Sequence, residues 1–377
     1  MNSKHIPVLQ PCIGQEEIDA VVDVLKSGWL GLGPKTEQFE KEFAAYVGSR
    51  FMVALNSGTA ALHLALEVLG IGPGDEVIVP PMTFISTVHA VSYVGATPVF
   101  ADVEKDTVNI SVADIERKIT EKTKAIIVVH LAGHPCDMDA IRELALTKGI
   151  QVVEDAAHAC GAFYKGRAIG SISDITCFSF HAVKNLTCGE GGGIACNEEW
   201  LASKVREKRW VGISKDTWTR SSRERAYAWK YFVDKVGYKY HMNDIQAALG
   251  VVQLHKLEQL NGRRREIASR YQQALANISW LELPYEKPYA HSSWHLFQIK
   301  LANEELRDRL IGHLQDHNIA PGVHYYPCHL QPAYIHLKAS VPVSSNIWKR
   351  LLTLPIHPNM TDEDVERVID CVRCFQS

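Results

Sequence analysis

No stretch of this chain stays apolar for long. The longest such runs, typified by Ala125 to Ala132, contain a histidine and fall far short of the ~20 residues that cross a bilayer. The N-terminal segment MNSKHIPVLQPCIGQEE has one lysine but no apolar block ahead of a small-residue cleavage site, so it does not read as a secretory signal. A cytoplasmic protein whose mature chain starts here is the expectation. Excess charge of one sign is also scarce: the formal net charge is -3, so neither nucleic acid nor a membrane is the expected partner. The nine cysteines are odd in number and scattered, which argues against a disulfide framework. Cys371 and Cys374 form the one CxxC, and no second pair lies nearby to complete the four ligands of a zinc site. Their spacing reads as one turn of a terminal helix. His130 and His134 flank a short LAG segment without a carboxylate set around them, so they read as loop histidines, and no metal is expected. Internal repeats and low-complexity tracts are absent.

What is present is an alternation. At 377 residues the chain exceeds the size of a single core, so a large domain with a smaller companion is expected. From Thr36 to Val47, Phe39, Phe43, Tyr46 and Val47 recur at helical spacing among charged residues. Short apolar runs then alternate with helical patterns: residues 52–56, 75–80, 97–103, 125–133, 151–157, 175–180 and 191–197 read as strands. That rhythm predicts an α/β fold with a mostly parallel sheet covered by helices on both faces, whose ligands sit at the carboxyl ends of the strands. The pattern breaks from Arg206 to Tyr240, where the polar, basic segment through Lys215–Arg225 reads as a substrate-covering loop. A long helix is predicted from Asp244 to Leu260, followed by a small α+β unit. The expected domains are 1–255, cofactor-binding, and 256–377.

Four segments at predicted strand ends carry chemistry. Lys184 stands between an apolar strand and a glycine-rich turn. Read alone it is a surface lysine, because its amine becomes a nucleophile only if its pKa falls from about 10.4. Asn56-Ser57-Gly58-Thr59-Ala60 joins a strand to a helix, where hydroxyls and free amides suit a phosphate, although Ser57 alone would be an ordinary helix cap. Asp155 ends a run that should be buried, and a carboxylate there needs a cationic partner. Phe84, after Pro80-Pro81-Met82-Thr83, offers a flat face to a flat cofactor, though most such phenylalanines are core.

Taken in order, SGWLGLGPKTEQFEKEF (27–43), NSGTAALHLAL, GDEVIVPPMTF, GATPVFADV, EDAAHACGA, FSFHAVKNLTCGEGGG, GYKYHMNDIQAALG and GVHYYPCHLQPAY (322–334) closely resemble the DegT/DnrJ/StrS sugar aminotransferases. The resemblance covers nearly the whole chain. It implies fold type I of the pyridoxal 5'-phosphate (PLP) enzymes, with a seven-stranded type of sheet, and a homodimer with shared active sites. It also implies that Lys184 forms the Schiff base with PLP, that Asp155 partners the pyridine nitrogen, and that His158 lies near the phenolic oxygen. Ser57, Gly58, Thr59 and Ser179 would hold the phosphate and Phe84 would stack on the ring. Many family members carry, in the GYxY segment, an asparagine that reaches the phosphate across the dimer; here that position is Lys239.

The chemistry this implies is a ping-pong transfer of an amino group, from glutamate as the usual donor, onto a nucleotide-linked keto-sugar. Lys184 would move the proton. His324, Tyr325, Tyr326, His329 and the basic loop are candidates to bind the nucleotide sugar, and the HYYPCHLQ segment looks slightly more like the 4-keto than the 3-keto members. Two rivals are weighed. A PLP-dependent sugar dehydratase would have histidine at the lysine position, which Lys184 opposes. A non-catalytic sensor keeping the fold would not need Lys184, Asp155 and Ser57-Gly58-Thr59 together.

Overall fold

The computed structural model describes residues 4–213, 231–233 and 235–376. The segment Lys215–Arg225, expected to cover the substrate, lies outside the described residues.

The expected alternation appears as a seven-stranded sheet. In chain order its strands are β1 (Phe51–Leu55), β2 (Glu76–Val79), β3 (Thr97–Phe100), β4 (Thr123–Val129), β5 (Gln151–Asp155), β8 (Ile175–Ser179) and β9 (Gly192–Cys196), in the spatial order β1-β9-β8-β5-β4-β2-β3. Every pairing from β8 to β3 is parallel, and β9 runs antiparallel to both its neighbours. This is the mostly parallel, helix-covered α/β sheet the sequence predicts. The interior strands read as continuous Val/Ile/Ala runs because both of their faces are covered.

One face packs on α2 (Pro34–Val47), α6 (Met138–Lys148) and the first half of the long helix α8 (Asp244–Leu275). Phe39 and Phe43 on α2, four residues apart, both reach Phe180 edge-on with ring centroids 5.3 and 5.2 Å away. The spacing of the aromatics thus docks the helix. The other face packs on α3 (Gly58–Val68), α4 (Ser86–Tyr93) and α7 (Glu199–Arg209), with α3 nearly all apolar because it is buried on every side. The remaining helices of this part are α1 (Gln15–Ser27), which precedes α2, and α5 (Val112–Lys118).

The helix predicted to end at Leu260 runs to Leu275. Asn261-Gly262 reads as a stop, yet the Asn261 side chain is spent on tertiary bonds, its Nδ2 donating to the Cys160 carbonyl at 3.0 Å and its Oδ1 accepting from Asn185 at 2.8 Å. Along α8 the core changes: Ala247, Val251, Leu254 and Leu257 join the sheet core, whereas Ile267, Ala268, Tyr271 and Leu275 join a second one. That second core also contains β12 (Phe297–Leu301), α9 (Glu304–Asp316), β13 (Leu351–Leu354) and α11 (Asp362–Cys374), with β10 (Leu281–Glu282) on its sheet and the short α10 (Pro342–Ile347) beside it. A division at residue 255/256 therefore falls inside a continuous helix. The N-terminal residues also depart from the expected division, because Ile6 is buried in the second core and bridges to Ile319. A small ribbon of β6 (Phe163–Tyr164), β7 (Arg167–Ala168) and β11 (Ala290–His291) joins the two parts. Among the described residues no helix is long and apolar enough to cross a membrane.

Candidate active site

A cavity of about 460 Å³ opens at the carboxyl ends of the parallel strands. Ser57, Gly58, Thr59, Phe84, Asp155, His158, Ser179, Lys184 and His324, drawn from segments far apart in the chain, all line it. Tyr325 lines it as well. Among the described residues the other candidates, Lys239, Tyr326 and His329, do not. Lys239 carries its ammonium over the Trp210 ring, 3.6 Å from the centroid. Tyr326 is half-exposed with its ring against Trp348. His329 is buried, its Nε2 2.9 Å from Ser345 Oγ, which leaves it no open face for a substrate.

Lys184 follows β8 in a tight turn in which its own amide donates to the His181 carbonyl at 2.9 Å. The next residue fixes that turn. Asn185 Nδ2 donates to Asn261 Oδ1 (2.8 Å) and to the Ser293 carbonyl (2.9 Å), so its Oδ1 is left to accept from His295 Nδ1 at 2.8 Å. Burial lowers the Lys184 amine to about 8, against the opposing pull of the Asp155 charge. The sequence alone did not mark Asn185, Asn261 or His295; the one available signal was an amide directly after the lysine.

Asp155 ends β5 fully enclosed, and burial raises its carboxyl above the usual range. Two donors act against that: Thr87 Oγ1 gives to Oδ2 at 2.8 Å and the Ala157 amide to Oδ1 at 3.1 Å. Because the Thr87 proton goes to the carboxylate, Thr87 accepts from Thr83 Oγ1 at 2.8 Å. Thr83 and Thr87 thus form a relay that aims the carboxylate, and neither was singled out from sequence.

His158 Nδ1 accepts from the Ala132 amide at 3.3 Å, so in the neutral ring Nε2 carries the proton and donates to Tyr325 Oη, 3.0 Å away. The Tyr325 hydroxyl proton is then free to point elsewhere. Burial, reinforced by the Lys184 cation, holds His158 well below its ordinary pKa and lowers His324 to about 4; the same burial, with His158 as the next contributor, depresses His295. All three rings are neutral at physiological pH. His130 and His134 belong to the scaffold: His130 Nε2 lies 2.8 Å from Glu154 with both residues fully enclosed, and His134 Nε2 accepts the Lys287 amide at 3.1 Å.

The N-terminus of α3 also lines the cavity. Ser57 Oγ caps it by accepting the Ala60 amide at 3.0 Å, and the first helical amides have no acceptor inside the helix. The turn is packed too closely for any side chain. A Cβ on Gly58 would lie 2.8 Å from that of Ser179, and one on Gly192 would lie 2.3 Å from the Ser57 carbonyl carbon.

These features fit PLP. The cavity offers an enclosed carboxylate in need of a cation, a helix N-terminus suited to a dianionic phosphate, an amine of lowered pKa, and at its wall Phe84, an aromatic left 57% exposed.

The chain is similar over its length to known proteins. It is 47% identical over 376 residues to the spore coat polysaccharide biosynthesis protein SpsC of Bacillus subtilis (strain 168), covering 98% of this chain and 96% of that one. Its fold superposes on the PLP form of the putative sugar aminotransferase Spr1654 from Streptococcus pneumoniae with a TM-score of 0.91, at 36% identity over 99% of this chain and 100% of the other. DesV of S. venezuelae superposes with a TM-score of 0.89 at 39% identity, over 98% of each chain. Residues 11–373 match the model of the DegT/DnrJ/EryC1/StrS aminotransferase family. The chain belongs to that family, and is with it a pyridoxal phosphate-dependent aminotransferase.

Proposed function

We propose that this enzyme transfers an amino group from glutamate onto a nucleotide-linked keto-sugar, with the 4-keto position favoured over the 3-keto. The observation that carries the reading is the single cavity in which Lys184, the Thr87-tethered Asp155 and the α3 N-terminus converge. The sugar aminotransferase named among the solved structures and the polysaccharide pathway named for SpsC support a sugar as acceptor. When bound, PLP supplies the electron sink that stabilises charge at the carbon losing its proton.

The residues of the chain do the rest. Lys184 would hold the cofactor covalently at rest, and its amine, neutral in about half the molecules at pH 8, would take and return the proton. Asp155 would keep the pyridine nitrogen protonated, each unit of added pKa being worth about 1.4 kcal/mol. His158 and Tyr325 would face the phenolic oxygen as neutral hydrogen-bond partners. Ser57, Gly58, Thr59 and Ser179 would bind the phosphate, and Phe84 would cover the ring. Lys239, which rests over Trp210 and does not line its own cavity, fits a role in the site of a second subunit, as in a homodimer with shared sites. His324, within the cavity, is the candidate for the sugar side. A cytoplasmic setting suits substrates of this kind.

The test is a panel of nucleotide keto-sugars assayed with glutamate. Parallel lines in double-reciprocal plots and preferential turnover of a 4-keto substrate are expected. Turnover of free keto-sugars alone, with no nucleotide-linked substrate accepted, would sink the reading.

A further inference from the structure

Two pairs of metal-ligating residues that the active site does not use meet in the C-terminal core. His313 and His317 stand one turn apart at the end of α9, and Cys371 and Cys374 stand one turn apart at the end of α11, which packs against it. The cysteine pair lacks a second pair along the sequence but not in space. One ligand atom each from His313, His317 and Cys371 lie within 4.8 Å of one another. Cys374 Sγ is 3.6 Å from His313 Nε2. With ordinary zinc–sulfur and zinc–nitrogen bonds, the sulfur–nitrogen edge of a zinc tetrahedron is itself about 3.6 Å.

We propose that His313, His317, Cys371 and Cys374 form a Cys2His2 zinc site that clamps α11 to α9.

The surrounding bonds prepare the ligands. His317 Nδ1 lies 2.7 Å from the His313 carbonyl, which can only accept. Nδ1 therefore carries the proton, and Nε2 keeps its lone pair for a metal, the usual arrangement of a ligating imidazole. His313 Nε2 lies 3.0 Å from the Cys371 carbonyl, to which it donates in the metal-free chain. Ligation shifts that proton to Nδ1 and frees Nε2. Cys371 is buried, and it would bind the metal as a thiolate, giving up its proton. Binding is balanced by release of both thiol protons: a dication with two thiolates and two neutral imidazoles leaves a site of zero net charge, suited to a partly buried place. Thiolate and imidazole together favour zinc over magnesium, calcium or manganese. None of the four residues lines the catalytic cavity. The ion's work is thus to hold the last helix, whose Val365, Val368 and Val372 pack in the same core as Leu310 and Leu314 of α9.

The experiment uses tag-free full-length enzyme, stripped by a chelator under reducing conditions, reloaded with zinc and gel-filtered. About one equivalent of zinc per chain should remain, with sulfur scatterers at about 2.3 Å in zinc-edge X-ray absorption. Cys374→Ser and His317→Gln change exposed residues outside the catalytic cavity. Each should weaken zinc retention at least about tenfold while PLP content and transamination stay at the wild-type level. Wild-type protein that retains no zinc, a shell without sulfur, or both variants binding as tightly as wild type would overturn the site.

Discussion

A lysine amine attacks a carbonyl only when it is neutral, so if Lys184 holds PLP as proposed, its depressed pKa sets the pH at which the empty enzyme captures the cofactor. Below about 8 the protonated form dominates, and the rate at which PLP becomes fixed to Lys184 by borohydride should rise about tenfold per pH unit, then level off above that value. An amine at its unperturbed pKa would give a rate still climbing past pH 9.5 or so. Asp155 gives a second test. Removing the Thr87 hydroxyl strips one of two donors from an enclosed carboxylate, a loss of about 1.5–3 kcal/mol for a hydrogen bond to a charged group. Thr87→Val should therefore raise the PLP dissociation constant at least about tenfold in equilibrium dialysis, and Thr87→Ser should restore it. Equal affinity in the valine variant would show that the Ala157 amide alone orients the carboxylate. At this scale the sequence exposed Lys184, Asp155 and Ser57-Gly58-Thr59, because each ends or follows a run whose burial could be read directly. Thr87 and His295 stayed hidden: each acts on a residue many positions away, and threonine and histidine have ordinary local roles.

Elements carry constraints that no single residue shows. The turn before α3, proposed to bind the phosphate, rests on β9, whose Gly192 lets two backbones approach to a distance that excludes even a methyl group. Because the atoms in the way are backbone and cannot rotate aside, Gly192→Ala should push the turn off its place at a cost of about 1–3 kcal/mol. Thermal unfolding should show that loss, and PLP content should fall with it; a variant with normal PLP content would separate the turn's geometry from phosphate binding. Most elements were legible by period, and the helix read over Thr36–Val47 is α2, Pro34–Val47. The end of α8 was not, because the local stop at Asn261-Gly262 is overridden by hydrogen bonds to Cys160 and Asn185. The pairing of His313 and His317 with Cys371 and Cys374 was invisible for a related reason, since proximity across two helices leaves no spacing to find in the chain.

For the whole molecule the open question is whether one chain makes one complete site. The mostly parallel α/β sheet was readable from its rhythm and its seven-stranded type from the family resemblance, whereas α8 passes through both cores and Ile6 returns to the second. Lys239 poses the same question at the cavity, because its ammonium rests on Trp210 rather than among the phosphate ligands of its own chain. If it serves a partner's cofactor, two defective chains can repair each other. Lys184→Ala lacks the amine proposed to hold PLP and Lys239→Ala lacks the proposed outer cation, and each alone should be impaired. In a mixed dimer, the Lys239→Ala chain's intact Lys184 meets the other chain's intact Lys239, so one of the two sites is whole. After subunit exchange at equal amounts, half the dimers are mixed, and about a quarter of wild-type activity should return. If Lys239 acts only within its own chain, mixing yields no whole site and activity stays at the average of the two variants. Sedimentation should give a mass of twice 42.1 kDa throughout, so a failure to recover activity is read against dimers known to be present.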